Sequence, residues 1–230
     1  MPVSAVVFLN YLLSVFGIEL RKKRKNSEKI LVKMTNASVS KLFYFQRMLQ
    51  KIHALDGDVV ECGVGRARSF QMLAILLQKE NSGNLWGFDS FRGFPEPSEE
   101  DKSPRNPQKG EKNVLRVNEV CEALAAAGVS EDFIKNRVQI VEGFFEDTLP
   151  VAKIDKIAML HLDVDLYKSY KTCLKYLLPK VAAGGVVLFD EYGEELKFPG
   201  AKKAIDEYFA GSPYKIEMDF PTGKYYLVKN

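Results

Sequence analysis

The sequence predicts an α/β fold in which a mainly parallel sheet carries helices on both faces and closes with a C-terminal antiparallel hairpin. Three observations carry this. Short apolar runs alternate with helical periodicities from about residue 38 onward. Nearly every apolar run exits on an acidic residue, at Glu61, Asp89, Glu142, Asp163 and Asp190-Glu191. A Gly63-Val-Gly65 turn joins the first run to the helix after it. Continuous apolar strands belong to parallel sheets covered on both faces, and the ligands of such sheets gather outside the carboxyl ends of the strands.

The elements follow in order. Ser38 or Ser40 is placed to cap a helix carrying Leu42, Phe43, Phe45, Met48, Leu49 and Ile52. Asp56-Gly57 turns the chain into a strand over 58–62, and 69–79 reads as helix. A strand over 85–88 ends at Asp89. Residues 92–113 are rich in proline and charge and lack apolar periodicity, which predicts a lid rather than a plain connector. A helix over 114–127 stops at Gly128, and a strand over 138–141 leads into Gly143-Phe144-Phe145. The apolar strand 157–162 stops at Asp163. A helix over 167–178, a Gly184-Gly185 turn and a strand over 186–189 ending at Asp190 come next. A helix near 199–210 precedes strands 215–219 and 225–229, joined through Pro221-Thr222-Gly223.

Composition sets the outer bounds. With 230 residues, 46% hydrophobic and 27% charged, the chain can bury a sizeable core, which excludes disordered, collagen-like and polytopic membrane classes. Cys62, Cys121 and Cys173 form no CxxC pair, so a disulfide framework and a cysteine zinc site are excluded and a reducing compartment is expected. Two histidines, His53 and His161, argue against histidine-rich metal chemistry. The net charge of +3 is concentrated in residues 1–30, which hold six basic side chains against two acids. The remainder is close to neutral, so no nucleic-acid partner is expected.

Residues 1–18 carry no charged side chain and are followed by the basic run Arg21–Lys25, the reverse of a signal peptide's order. On a helix, Asn10, Ser14, Gly17 and Arg21 share one stripe, with Leu9, Leu12, Leu13, Phe16 and Leu20 opposite. That pattern favours an amphipathic helix over a membrane span. Residues 1–37 are thus read as an N-terminal segment ahead of a domain at 38–230. Residues 1–25 are expected to meet the domain itself, a second copy in a homo-oligomer, or the inner face of a membrane as a peripheral contact. The expected location is cytoplasmic.

The run Glu61-Cys-Gly63-Val-Gly65-Arg-Ala-Arg68-Ser69 has Arg68 where the dinucleotide fingerprint needs its third glycine. A carboxylate at the end of the first strand suits a ligand bearing an amine and no phosphate, and S-adenosylmethionine is one. Glu61, Gly63, Gly65 and Ser69 are its candidate contacts. Asp89 is placed to accept from ribose hydroxyls, with Ser90 beside it. At the third exit stand Glu142, Gly143 and Phe144; Phe144 and Phe145 either flank adenine or pack into the core. Arg66 and Arg68 hold Glu61 or the donor carboxylate, or lie on a solvated face. Cys62 and His161 read as core residues, and Tyr44, Tyr167 and Tyr192 are candidates for lining an acceptor pocket.

Four blocks occur together: 60–64 (VECGV), 87–95 (GFDSFRGFP), 161–169 (HLDVDLYKS) and 184–192 (GGVVLFDEY). In these the sequence resembles the macrocin O-methyltransferase (TylF-type) family of class I S-adenosylmethionine-dependent methyltransferases, over roughly residues 38–230. The resemblance implies a Rossmann-like fold with a mostly parallel seven-stranded sheet. It implies Mg²⁺-dependent transfer of a methyl group to a hydroxyl of a sugar, a sugar-containing natural product or a glycan. It makes Asp163 a metal ligand and general base, and Asp190 and Glu191 the other ligands, with Glu191 where the family commonly has aspartate. Oxygen-only carboxylate sites suit a hard cation, which lowers a hydroxyl's pKa until a carboxylate can take the proton. Asp165 completes an Asp163-Val-Asp165 pair and is placed to cap the 167–178 helix; a metal-dependent glycosyltransferase would use the same pair. A non-catalytic membrane-surface module is the remaining alternative.

Overall fold

The computed structural model describes residues 35–194 and 196–230, so the amphipathic helix and basic run expected within residues 1–34 lie outside the described residues. The expected seven-stranded sheet is present. Helix α1 (Asn36–Lys51) leads into β1 (Asp58–Cys62), α2 (Arg68–Glu80) and β2 (Leu85–Asp89). Then come α3 (Val117–Ala126), α4 (Glu131–Arg137), β3 (Val138–Glu142), the single turn α5 (Phe145–Thr148) and β4 (Ile157–Leu162). The chain ends with α6 (Tyr167–Leu177), β5 (Val181–Phe189), α7 (Pro199–Phe209), β6 (Ile216–Asp219) and β7 (Lys224–Val228). The strand order is β3-β2-β1-β4-β5-β7-β6. Strands β3 to β5 pair in parallel, and β7 runs antiparallel to both β5 and β6.

Period-2 alternation splits each central strand between two cores. Val59, Leu188 and Met159 pack with Phe45, Phe70, Leu73 and Leu124 on the face covered by α1 to α4. Val60, Val187 and Leu160 pack with Tyr170, Leu174, Ile205 and Phe209 under α6 and α7. Both faces of the sheet are covered, which is why the strands read as unbroken apolar runs. Among the described residues no helix is long and apolar enough to cross a membrane.

Four local expectations are corrected. Thr35, not Ser38 or Ser40, caps α1: its hydroxyl accepts from Ser38 N at 3.1 Å while Ser38 Oγ accepts from Thr35 N at 2.7 Å. Gly184-Gly185 is no turn before β5 but a bulge inside it. Ile157 pairs with Val181 and Met159 with Val186, so residues 182–185 loop out. A side chain at Gly185 would sit 2.9 Å from the Ala182 carbonyl oxygen. Helix α4 was not anticipated, although Ser130 caps it and Glu131 and Asp132 occupy its first turn. Asp165 does not cap α6. That role falls to Asp101 in the long loop, whose Oδ1 accepts from Tyr167 N at 2.8 Å.

Helix α1 is pinned to the far edge of the sheet. Arg47 donates to Asp219 on β6 through Nε at 3.1 Å and Nη2 at 2.6 Å, and Tyr44 OH donates to the Tyr225 carbonyl. Burial opposes ionisation of Asp219, but the bonds from Arg47 and Thr222 hold its pKa below the usual carboxylate range. A depressed carboxylate stabilises the fold above its unfolded pKa and loses that contribution as pH falls through the folded one. Asp219→Asn is therefore expected to lower stability at pH 7 by about 1 kcal/mol, a value reduced by the partial exposure of Arg47. Urea melts should show the gap from wild type closing as pH falls below about 4.

Candidate active site

The chain leaves β1 towards β2 on one side and returns in β4 on the other, so a crevice opens where the strand order reverses. The strand exits are held in register by backbone bonds that outlast the strands. Gly63 N donates to Phe88 O at 2.8 Å, Asp163 N to Cys62 O at 3.0 Å and Asp190 N to Leu162 O at 3.0 Å. Gly63 has φ +89, and a Cβ there would fall 1.8 Å from the Asp163 carbonyl oxygen. Only glycine fits.

A cavity of about 770 Å³ opens at these exits. Gly63 and Gly65 line it from the glycine turn, Ser69 from the start of α2, and Asp89 and Ser90 from the end of β2. Gly143, Phe144 and Asp163 also line it. Both Asp89 oxygens also brace the backbone, accepting from Gly65 N and Phe91 N at 2.8 Å each. Burial still outweighs these bonds and raises the Asp89 pKa. The Ser90 hydroxyl accepts from Arg92 N and donates to Gly93 O, so its own bonds shape the turn into the long loop.

Other predicted residues stand off the cavity wall. Glu61 is fully buried behind the turn, with Oε1 2.9 Å from His161 Nδ1 and Oε2 without a hydrogen-bond partner. Its partner is thus His161, not Arg66 or Arg68, which both line the cavity. Glu142, the last residue of β3, is exposed and is not on the wall. Glu191 is buried and turned away: its Oε2 accepts from Tyr170 OH at 2.6 Å and from Asp165 N at 3.4 Å. Burial, then the charges of Asp163, Asp165 and Asp190, raise its pKa well above the usual range. Tyr44, Tyr167 and Tyr192 spend their hydroxyls on Tyr225 O, Glu207 and Asp206, and none lines the cavity.

The acids that do converge are Asp163 and Asp190, joined by His161. Their ligating atoms all lie within 4.8 Å of one another. His161 is buried as a core residue, as expected, and its second nitrogen also faces the acids: Nε2 lies 3.7 Å from Asp190 Oδ1, and the ring meets Phe45 edge-on at 5.0 Å. Burial works against its charged form, yet Asp190 and Glu61 hold its pKa above the ordinary value. Asp190 also pairs with Lys224 at 3.3 Å and with Lys41 at 3.0 Å. Desolvation opposes its charge, but Lys41, His161 and Lys224 keep its pKa well below the usual carboxylate range. Asp165 is separate. Both its oxygens accept from Lys112 of the long loop, at 2.7 and 2.8 Å. Burial and the Asp163 charge push its pKa up to about 7 against the pull of Lys112.

Sequence reading missed Lys41, Lys112 and Lys224. Lys41 alone left a signal: with Tyr44, Phe45 and Met48 it falls at i, i+3, i+4 and i+7, a lysine in register with the buried stripe of its helix. Lys112 comes from the long loop and Lys224 from the start of β7, and no sequence pattern connects either to the site.

This strand order, a glycine turn after β1 and acids at the exits of β2, β4 and β5 define a class I methyltransferase fold. The macrocin-O-methyltransferase (TylF) family model matches residues 14–219, and the chain belongs to that family. It is 36% identical over 158 residues to demethyldecarbamoylnovobiocin O-methyltransferase of Streptomyces niveus, covering 67% of this chain and 58% of that protein. It is 34% identical over 140 residues to 8-demethyl-8-(2,3-dimethoxy-alpha-L-rhamnosyl)-tetracenomycin-C 4'-O-methyltransferase of Streptomyces olivaceus, covering 59% and 53%. The chain thus spans little more than half the length of either relative. Its fold matches the O-methyltransferase NovP with a TM-score of 0.72 at 23% identity, over 99% of this chain and 98% of that one.

The buried Glu61–His161 pair makes a stability prediction. Replacing one partner of a buried pair strands the other charge, at a cost of about 3 kcal/mol. His161→Leu should lower the urea midpoint accordingly, with the slope of the transition unchanged; a midpoint equal to wild type would contradict the pairing.

Proposed function

We propose that this protein transfers the methyl group of S-adenosylmethionine to a hydroxyl of a sugar, a sugar-containing natural product or a glycan. The observation that carries the proposal is a cavity of about 770 Å³ whose wall holds the glycine turn, Asp89 and Asp163 together. That volume suits a ligand of the donor's size, with a second group entering beside it. The family membership and the rhamnosyl group in one relative's name support the choice of a sugar hydroxyl.

In this reading Asp89 accepts from the donor's ribose hydroxyls, and Gly63 and Gly65 let the backbone approach the donor closely. Arg66 or Arg68 meets the donor carboxylate at the start of α2. Asp163 faces the acceptor and takes its proton as the oxygen bonds to the methyl carbon; the carbon–sulfur bond breaks and a neutral thioether leaves. Asp165 is not free for this step while Lys112 holds both its oxygens. Holding oxygen, carbon and sulfur in line supplies much of the acceleration, up to about 7–11 kcal/mol for well-oriented groups.

Mg²⁺ belongs to the same proposal. The donor chemistry fits: two carboxylates converge, and a histidine backed by a buried carboxylate stands beside them. Asp163 and Asp190 would hold the cation, whereas Glu191 is turned towards Tyr170 and does not join them. Bound there, the cation supplies Lewis-acid lowering of the hydroxyl's pKa.

Methyl transfer to deoxysugar-containing acceptors, assayed with and without Mg²⁺, tests the proposal. Asp163→Asn is expected to reduce turnover by at least about 100-fold, the span of a general base, while S-adenosylmethionine binding by calorimetry stays within a few fold. Donor binding lost together with turnover would contradict the role given to Asp163.

A further inference from the structure

The position between Asp163 and Asp190 is taken by a side chain of the protein itself. Lys41 Nζ lies 3.4 Å from Asp163 Oδ2 and 3.0 Å from Asp190 Oδ1. It reaches there from the buried stripe of α1, passing 5.7 Å from the centre of the Phe45 ring. Burial disfavours its charge, but Asp190, Asp163 and Glu61 more than compensate and raise its pKa above the ordinary lysine value. Asp190 has other basic neighbours in Lys224 and His161, whereas Asp163 is paired with Lys41.

We infer that Lys41 is a tethered cation in the seat of the divalent ion, and that ammonium and metal exchange there rather than bind together. The inference rests on the metal reading above. A divalent ion needs carboxylate oxygens at about 2.1 Å, and Lys41 already neutralises one oxygen from each aspartate. Two cations on that pair of oxygens would repel strongly in a poorly hydrated crevice. The ion therefore meets the fraction of molecules in which Lys41 has swung away, and its apparent affinity falls by that fraction. When the ion leaves, the ammonium returns and relieves the repulsion between two close carboxylates. Lys41 also lines the cavity, so a displaced ammonium has space into which to move.

Manganese binding to the full chain, read by electron paramagnetic resonance and calorimetry, tests the exchange. Lys41→Met is expected to bind Mn²⁺ on the order of ten-fold tighter than wild type, whereas Lys41→Arg keeps the weaker affinity. In the wild-type chain, saturating Mn²⁺ should speed acylation of Lys41, followed by peptide mass spectrometry. Equal, measurable Mn²⁺ affinity in wild type and Lys41→Met overturns the exchange and leaves the metal reading standing. No Mn²⁺ binding by any form overturns both. Should Lys41→Met not fold, unchanged Lys41 labelling at saturating Mn²⁺ in the wild-type chain overturns the exchange by itself.

Discussion

The close approach of the β1 and β4 exits is the constraint on which the rest of the acidic end depends. Gly63 lies against the Asp163 carbonyl oxygen with no room for a side chain, and the strand-to-strand bonds continue one residue past each strand. This fixes where Asp163 and Asp190 stand relative to the glycine turn. It also fixes the crevice, because the chain departs from β1 and β4 in opposite directions across the sheet. A side chain at Gly63 would push β4 away and uncouple the two halves of the cavity.

Gathering so many carboxylates at one edge has an electrostatic cost, and each acid meets it differently. Glu61 is matched by His161, Asp165 by Lys112, and Asp163 and Asp190 by Lys41, with Lys224 added for Asp190. Asp89 relies on backbone N–H groups, and Glu191 is held towards its neutral form beside Tyr170. The cleft is thus a set of matched charges rather than a bare acidic patch. Asp163 is the acid that both lines the cavity and converges on a second carboxylate, which sets it apart as the reactive one.

The long loop is part of this frame. Phe94 N donates to Glu111 O and Gly110 N to Phe94 O, so the loop's two limbs are zipped together near its base. Asp101 caps α6, Lys112 reaches Asp165, and the Arg105 and Lys112 cations lie over Phe94 and Phe198. The segment read as a lid is tied to the same helix start and aspartate that border the cavity. A change in the Lys112–Asp165 pair would therefore be felt at both the loop and the site.

The succession of strands, the helices other than α4 and the single turn α5, the covering of both sheet faces and the glycine turn were legible in the sequence. They rest on periodicity and on residues such as Gly63 and Asp89, whose chemistry is local. So were the acids at the strand exits, because strand ends are set by where apolar runs stop. The partners of those acids were not legible. Lys41, Lys112 and Lys224 lie far from Asp163, Asp165 and Asp190 along the chain, and an ion pair has no period to betray it. The same holds for Glu191: its type and position match a ligand, but the Tyr170 hydroxyl and the Asp165 backbone, both brought beside it by folding, turn it away. The sequence alone determined the scaffold and the supply of acids. The tertiary structure decided which of them face the cavity, because that choice depends on countercharges and hydrogen-bond donors delivered from other elements.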